Sequence, residues 1–199
     1  MQINTDLIKH KQRIYIGGTN GVDEIFELVK FVLDHVNKPA DFFTVGADNT
    51  LTDAPVVFIK GGDELDGDDA IFHQLDIHIL LLHRIKDKLP KGYDTIDAYV
   101  AQYEKLADSL PKAGTFIFNV DDNMATLIGK KEREDVKNIE YSALPSTKTS
   151  SGFTFNIGSG AVAVSTSDEK FPKYLAGVQA VLKRIGISDA QILSALKDY

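Results

Sequence analysis

The sequence predicts an α/β fold: a mostly parallel central sheet with helices on both faces, plus a small antiparallel edge sheet. Three observations predict it. Apolar runs too short for helices, VVFI at 56–59 and the segment 77–82, are nearly continuous rather than alternating, as befits strands covered on both faces. Between such runs lie segments with apolar residues at 3.6-residue spacing, the mark of core-packed helices. This alternation reads as βαβ units around a parallel sheet. Beyond residue 139 the runs become short and alternating, joined by Ser, Thr and Gly turns, which reads as antiparallel structure.

In chain order, 13–16 is the first strand, followed by Gly17 and Gly18. A helix over 22–37 places Ile25, Val29, Val32, Leu33 and Val36 on one face, and Pro39 ends it. Strands follow at 42–45 and 56–59, separated by a polar turn at 47–53. KGGDELDGDD, residues 60–69, is a turn, 71–75 a helical turn and 77–82 a buried strand. The helix over 95–110 turns Ile96, Tyr99, Val100, Tyr103, Leu106 and Leu110 inward, and Pro111 and Gly114 close it. A strand at 115–120, the turn Asp121-Asp122 and a short helix at 124–129 complete the alternating part. The runs 139–143, 152–157 and 161–165 are assigned to the small antiparallel sheet, the last two as a hairpin looped by Gly158-Ser159-Gly160. Helices over 173–185 and 189–197 end the chain, the second capped by Ser188. No linker, repeat or low-complexity stretch divides these elements, so 1–199 is expected to be one domain.

Composition narrows the partners. A net charge of −7 on 199 residues argues against nucleic acid and anionic membrane, both of which need a basic face. No apolar run approaches the roughly 18 residues of a membrane span. The start, MQINTDLIKHKQR, has no apolar signal core, and there is no cysteine, which excludes disulfides and thiol chemistry. A cytoplasmic location is expected.

The stretch IYIGGTNGVDEIFELVKFVLDHV, 14–36, is a strand, a glycine turn and a helix. Backbone N–H groups in such a turn, opening on a helix N-terminus, form an anion site. A working phosphate loop adds a lysine for the β- and γ-phosphates and a hydroxyl for Mg²⁺. Gly18, Thr19, Asn20 and Gly21 supply the turn, but Val22 supplies no charge and Asp23 the wrong one. Asp23 and Glu24 instead suit the helix dipole, and both would repel a triphosphate.

GTNG after a strand resembles the GTNGKT phosphate loop of the Mur ligases and folylpolyglutamate synthases. VVFIKGGDELD resembles the strand and EADEYD-type segment of Mur ligases. ILLLHRIKDK falls where those enzymes carry a strand, an Asn-rich turn and an Asp-His pair. PKAGTFIFNVDD is similar to the family's Pro-x-x-Gly turn and N-x-D-D segment, and LAGVQAVLKRIGISDAQILSAL to its closing helix pair. The resemblance spans nearly the whole chain and implies the P-loop, Rossmann-like central ATPase domain, stand-alone and degenerate, without the N-terminal UDP-binding and C-terminal domains. It implies ATP and Mg²⁺ as cofactors of the family, and Gly18, Thr19, Asn20, Gly21, Asn119 and Asp122 as a vestigial nucleotide site. The departures point away from catalysis. The family lysine falls at Val22 and the hydroxyl at Asp23. The metal-binding glutamate falls near Gly61, leaving Asp63, Glu64 and Asp66, the Asp-His pair falls near Lys86-Asp87, and the carbamylated lysine of several relatives has no clear counterpart. No catalytic residue, metal site or required cofactor is expected.

Other candidates read as structure. DELDGDD lacks EF-hand spacing. His73, His78 and His83 recur every five residues, so on one strand His78 and His83 would face opposite ways. The mixed-charge segment 129–137 is a solvated surface. Tyr93, Tyr99 and Tyr103 are packing residues, and Ser146, Ser150 and Ser151 lie in a polar loop without a histidine motif. The expected function is a catalytically inactive Mur central-domain homologue: a binding or regulatory protein linked to peptidoglycan-precursor synthesis. Its partner would be a Mur ligase or a second copy of itself. The alternatives are a non-catalytic ATP/ADP binder, and an amide-ligase subunit completed by another chain.

Overall fold

The computed structural model describes residues 5–85 and 89–199. The strands are β1 (Gln12–Gly17), β2 (Asp41–Thr44), β3 (Val56–Lys60), the short pair β4 (Leu65–Asp66) and β5 (Asp69–Ala70), β6 (Ile79–Leu82), β7 (Thr115–Asn119), β8 (Lys137–Tyr141), β9 (Ser146–Lys148), β10 (Gly152–Ile157) and β11 (Gly160–Ser165). The helices are α1 (Val22–His35), α2 (Ile96–Asp108), α3 (Asn123–Gly129), α4 (Phe171–Lys183) and α5 (Asp189–Leu196). Ile71–Leu75 is a 3-10 turn.

The main sheet runs β2-β3-β1-β6-β7-β8, with every neighbouring pair parallel. Successive side chains on each strand point to opposite faces, and both faces are covered. Ile14, Ile16, Phe58, Leu81 and Ile117 join one core with α1, α4, α5 and the small sheet. Tyr15, Ile59, Leu80, Leu82, Phe116 and Phe118 join the other with α2 and the 3-10 turn. The continuous apolar runs in the sequence are the direct consequence. On α1 the buried face is Ile25, Phe26, Leu28, Val29, Val32 and Leu33, with Val36 half-buried. Tyr99, Val100, Tyr103, Leu106 and Ala107 are the buried face of α2.

Residues 137–141 correct one expectation. The run near Ile139 is not part of the antiparallel sheet: β8 is the sixth parallel strand, pairing Ile139 with Ile117. The short helix α3 returns the chain to the sheet's starting end, which is what a parallel crossover requires. The third strand of the small sheet is instead the polar β9, on which Thr147 opposes Thr154. That sheet, β11-β10-β9, packs in the same core as α1, α4 and α5 rather than extending the main sheet. Its hairpin pairs Ile157 with Gly160 around Gly158, which has φ 59°. The acidic segment 60–69, expected as a plain turn, forms most of the β4–β5 hairpin, which closes with Leu65 paired to Ala70. Among the described residues no helix is long and apolar enough to cross a membrane.

Candidate functional site

Strand order reverses at β1. The chain passes from β1 to β2 and β3 on one side, then to β6 on the other. Such a switch point leaves a crevice at the carboxyl ends of the two central strands, the usual ligand position in open parallel sheets. Here those ends are Gly17 and Leu82, and the glycine turn fills the gap between β1 and α1. Gly21, at φ 81° and ψ 0°, precedes α1 with no side-chain cap. A side chain could not replace its hydrogen, because a Cβ would meet the His83 ring at 2.5 Å and Tyr174 at 2.7 Å.

The first N–H groups of the turn are held by the protein itself. Gly18 N–H donates to the Tyr103 hydroxyl at 2.8 Å, and Thr19 N–H to the Arg84 carbonyl at 2.8 Å. The Tyr103 hydroxyl in turn donates to Asp63, which also accepts from Tyr99 at 2.8 Å. Burial raises the Asp63 carboxyl above its ordinary range despite these two donors. Tyr15 closes the same cluster, donating to the Gly61 carbonyl at 3.1 Å. Burial, and then the Asp63 charge, push the Tyr15, Tyr99 and Tyr103 hydroxyls well up, so all three serve as neutral donors and acceptors.

In front of the turn lies a cavity of about 370 Å³ lined by Gly18–Glu24, Thr44, Lys60, Gly61 and Asp63. Its cation comes from the end of β3. Lys60 Nζ lies 2.7 Å from Asp23 Oδ1 and 4.5 Å from the centre of the Phe26 ring. Asp23, itself exposed, thus pairs with the lysine that an anionic ligand would seek. Among the described residues, no three Asp, Glu or His side chains converge as metal ligands, and Asp63 is already engaged by two tyrosines. Among the described residues, the glycine turn is followed by Val22 and Asp23 rather than by the lysine and hydroxyl that a phosphoryl-transfer site uses.

Of the six residues expected at a nucleotide site, the structure brings Gly18, Thr19, Asn20 and Gly21 into this cavity. Asn119 and Asp122 lie elsewhere, buried at the end of β7. Asn119 Oδ1 accepts the Asp121 N–H at 3.0 Å. Asp122 caps α3 by accepting the Ala125 N–H at 2.9 Å, with Arg84 Nε at 3.8 Å from its other oxygen. Lys86 and Asp87, where the Asp-His pair would fall, lie outside the described residues. His73, His78 and His83 have separate partners: Gln102, Arg13 and Tyr141. His83 is buried, with Nδ1 2.7 Å from the Tyr141 hydroxyl. Burial, then the charges of Lys173 and Arg84, lower it to about 4, so the ring is neutral at pH 7.

Sequence reasoning missed Lys60, Arg84 and the Tyr103 hydroxyl as parts of the site. For Lys60 and Arg84 a signal existed: each stands at or just past the carboxyl end of a predicted parallel strand, where site residues collect. Tyr103 read as packing because its helical spacing is that of a core residue. Nothing in the spacing shows that its hydroxyl reaches the glycine turn.

A six-stranded parallel sheet with a glycine turn at its switch point defines an open, doubly wound type of α/β fold. Comparison shows that this fold is shared with the central domains of Mur ligases. A ligase from Neisseria meningitides, acting on UDP-N-acetylmuramate and L-alanyl-gamma-D-glutamyl-meso-diaminopimelate, superposes with a TM-score of 0.77 at 13% identity, covering 98% of this chain and 68% of that one. UDP-N-acetylmuramate–alanine ligase of Thermotoga maritima gives 0.71 at 15% identity, covering 98% and 47%. In sequence, the chain is 27% identical over 143 residues to UDP-N-acetylmuramate–L-alanine ligase of Dictyoglomus turgidum. That match spans 68% of this chain but 29% of the relative's length. No family model matches the chain. The chain has the Mur ligase central-domain fold, and the resemblance to that family holds in both sequence and structure.

Proposed function

We propose that this chain is a non-catalytic binding protein built on the Mur ligase central-domain fold and linked through that relationship to peptidoglycan-precursor synthesis. One observation carries the reading. The Gly18 and Thr19 N–H groups, which would meet phosphate oxygens, are satisfied by Tyr103 and Arg84, and Asp23 pairs with Lys60. Phosphoryl transfer needs positioned cations to spread the charge of the transferred group, whereas here the turn is followed by Val22 and Asp23, and Asp23 pairs with Lys60. The partner is a protein, a Mur ligase or a second copy of this chain. Among the described residues only Leu7, Leu127 and Tyr199 are large exposed apolar side chains, so the contact would be polar rather than a broad apolar face. Incubation with ATP, Mg²⁺ and a UDP-muramyl acceptor plus amino acid is expected to release no ADP. Turnover dependent on all three would overturn the reading.

The cavity itself favours a second reading, ATP or ADP binding without catalysis. It retains the N–H groups at the start of α1, which helix geometry leaves without internal partners, and Lys60 stands within it. Val22→Lys with Asp23→Thr separates the readings. Failure of this variant to bind ATP means that the pocket is lost beyond the loop. A subunit completed in trans would need the missing lysine and metal ligands from its partner.

A further inference from the structure

The opposite end of the sheet carries a second site. Residues 9–12, His78 with Ile79, the turn 111–115 and Arg184 converge near the amino ends of β1, β6 and β7 and enclose a cavity of about 480 Å³. Its ionisable lining is Lys9, His10, Lys11, His78, Lys112 and Arg184, with no carboxylate among them. This is a sharp local reversal in a chain of net charge −7. Three other cavities among the described residues each carry at least one carboxylate.

Five of the six groups divide by role. Lys11 is structural: it donates to the Thr52 and Ala54 carbonyls at 2.7 Å and pairs with buried Asp41 at 2.8 Å. His78 accepts the Arg13 N–H at Nδ1, and burial lowers its pKa, so it is neutral at pH 7. Lys9 and Lys112 make exposed pairs with Asp6 and Asp135 at 2.9 and 3.2 Å. Such pairs are weak and yield to a better-placed anion. Arg184 makes no ion pair among the described residues. Lys112 is held on the rim by a tight turn. Its neighbour Ala113 takes the left-handed φ of 62°, and a Cβ on Gly114 would meet the Pro111 carbonyl oxygen at 2.7 Å.

We propose that this cavity binds a small phosphorylated anion, a phosphate monoester or a group of pyrophosphate size. A guanidinium fork beside ammonium groups matches several oxygens of one phosphate, and the volume exceeds what a lone carboxylate fills. β1 has six residues, so the strand places this cavity roughly 20 Å from the glycine turn. The two sites are separate, and this proposal does not depend on the state of the glycine turn.

The test is calorimetric titration of the full chain with inorganic pyrophosphate, without metal, at low and physiological salt. Saturable binding on the order of 1 mM or tighter at low salt is expected, weakening with salt as exposed charges are screened. Arg184→Ala with Lys112→Ala should weaken it about tenfold or more, while Lys60→Ala, in the glycine-turn cavity, leaves it unchanged. Amide NMR shifts should fall on Gln12, Ala113 and Thr115. All three substitutions are at or near the surface, and an unchanged melting curve checks folding. No saturable heat at low salt overturns the proposal. So does binding indifferent to the double variant, or binding lost with Lys60→Ala.

Discussion

The Tyr103 hydroxyl receives the Gly18 N–H and gives its own proton to Asp63. Removing that one oxygen leaves a buried donor and a buried carboxyl each short of a partner. Tyr103→Phe should therefore cost about 1–3 kcal/mol, measured by urea unfolding, although it deletes no packing volume of note. A loss near zero would mean that water replaces the hydroxyl and that the glycine turn is not closed by this side chain. His83 offers a test by pH. Its folded value, about 4, lies below the ordinary 6.5. Between those values the unfolded chain binds a proton that the folded chain does not, so stability rises with pH across the window. The contribution is complete above about pH 6.5, and it is lost as pH falls towards 4, by roughly 3 kcal/mol in all. His83→Phe with Tyr141→Phe removes both ends of the hydrogen bond. Relative to the parent, its stability should change less between pH 6.5 and 4.

At the scale of elements, the glycine turn is fixed by its neighbours as much as by its own residues. Gly21 and Gly67 both have positive φ, 81° and 72°. A Cβ at Gly67 meets nothing within 4 Å, whereas at Gly21 it strikes His83 and Tyr174. Gly67→Ala should cost only the left-handed penalty of roughly 1–2 kcal/mol. Gly21→Ala should cost clearly more, and thermal unfolding of the two variants gives the comparison. Equal costs would show that His83 and Tyr174 move aside. The same contrast between local and distant causes explains what the sequence reveals. The helices were legible because Ile25, Val29, Val32 and Leu33 recur at helical spacing, and β3 and β6 because their runs are continuous. The role of β8 was not legible. KNIEY alternates as an exposed antiparallel strand does, but its partner is set by the α3 crossover, which spacing within the strand does not encode. At the site, the missing loop lysine was plain at Val22. The replacement groups, Lys60, Arg84 and Tyr103, come from three distant segments and meet only in the folded chain.

Over the whole molecule, charge is distributed by end. The carboxyl ends of the parallel strands face a cavity carrying Asp23, Glu24 and Asp63, with Lys60 already paired. At the amino ends, the cavity has an entirely basic ionisable lining. A Mur ligase central-domain fold arranged this way sets its glycine turn at the switch point of the sheet, with the Gly18 and Thr19 N–H groups bonded to the Tyr103 hydroxyl and the Arg84 carbonyl. The most direct measurement is isothermal titration calorimetry of the purified chain with ATP and ADP, each with and without Mg²⁺. The account predicts no Mg²⁺-dependent binding, and any heat that appears should be weak, indifferent to metal and unchanged by Asn119→Ala. Tight, Mg²⁺-dependent ATP binding would contradict it, showing that Tyr103 and Asp23 yield to the ligand and that the glycine turn is a working phosphate site.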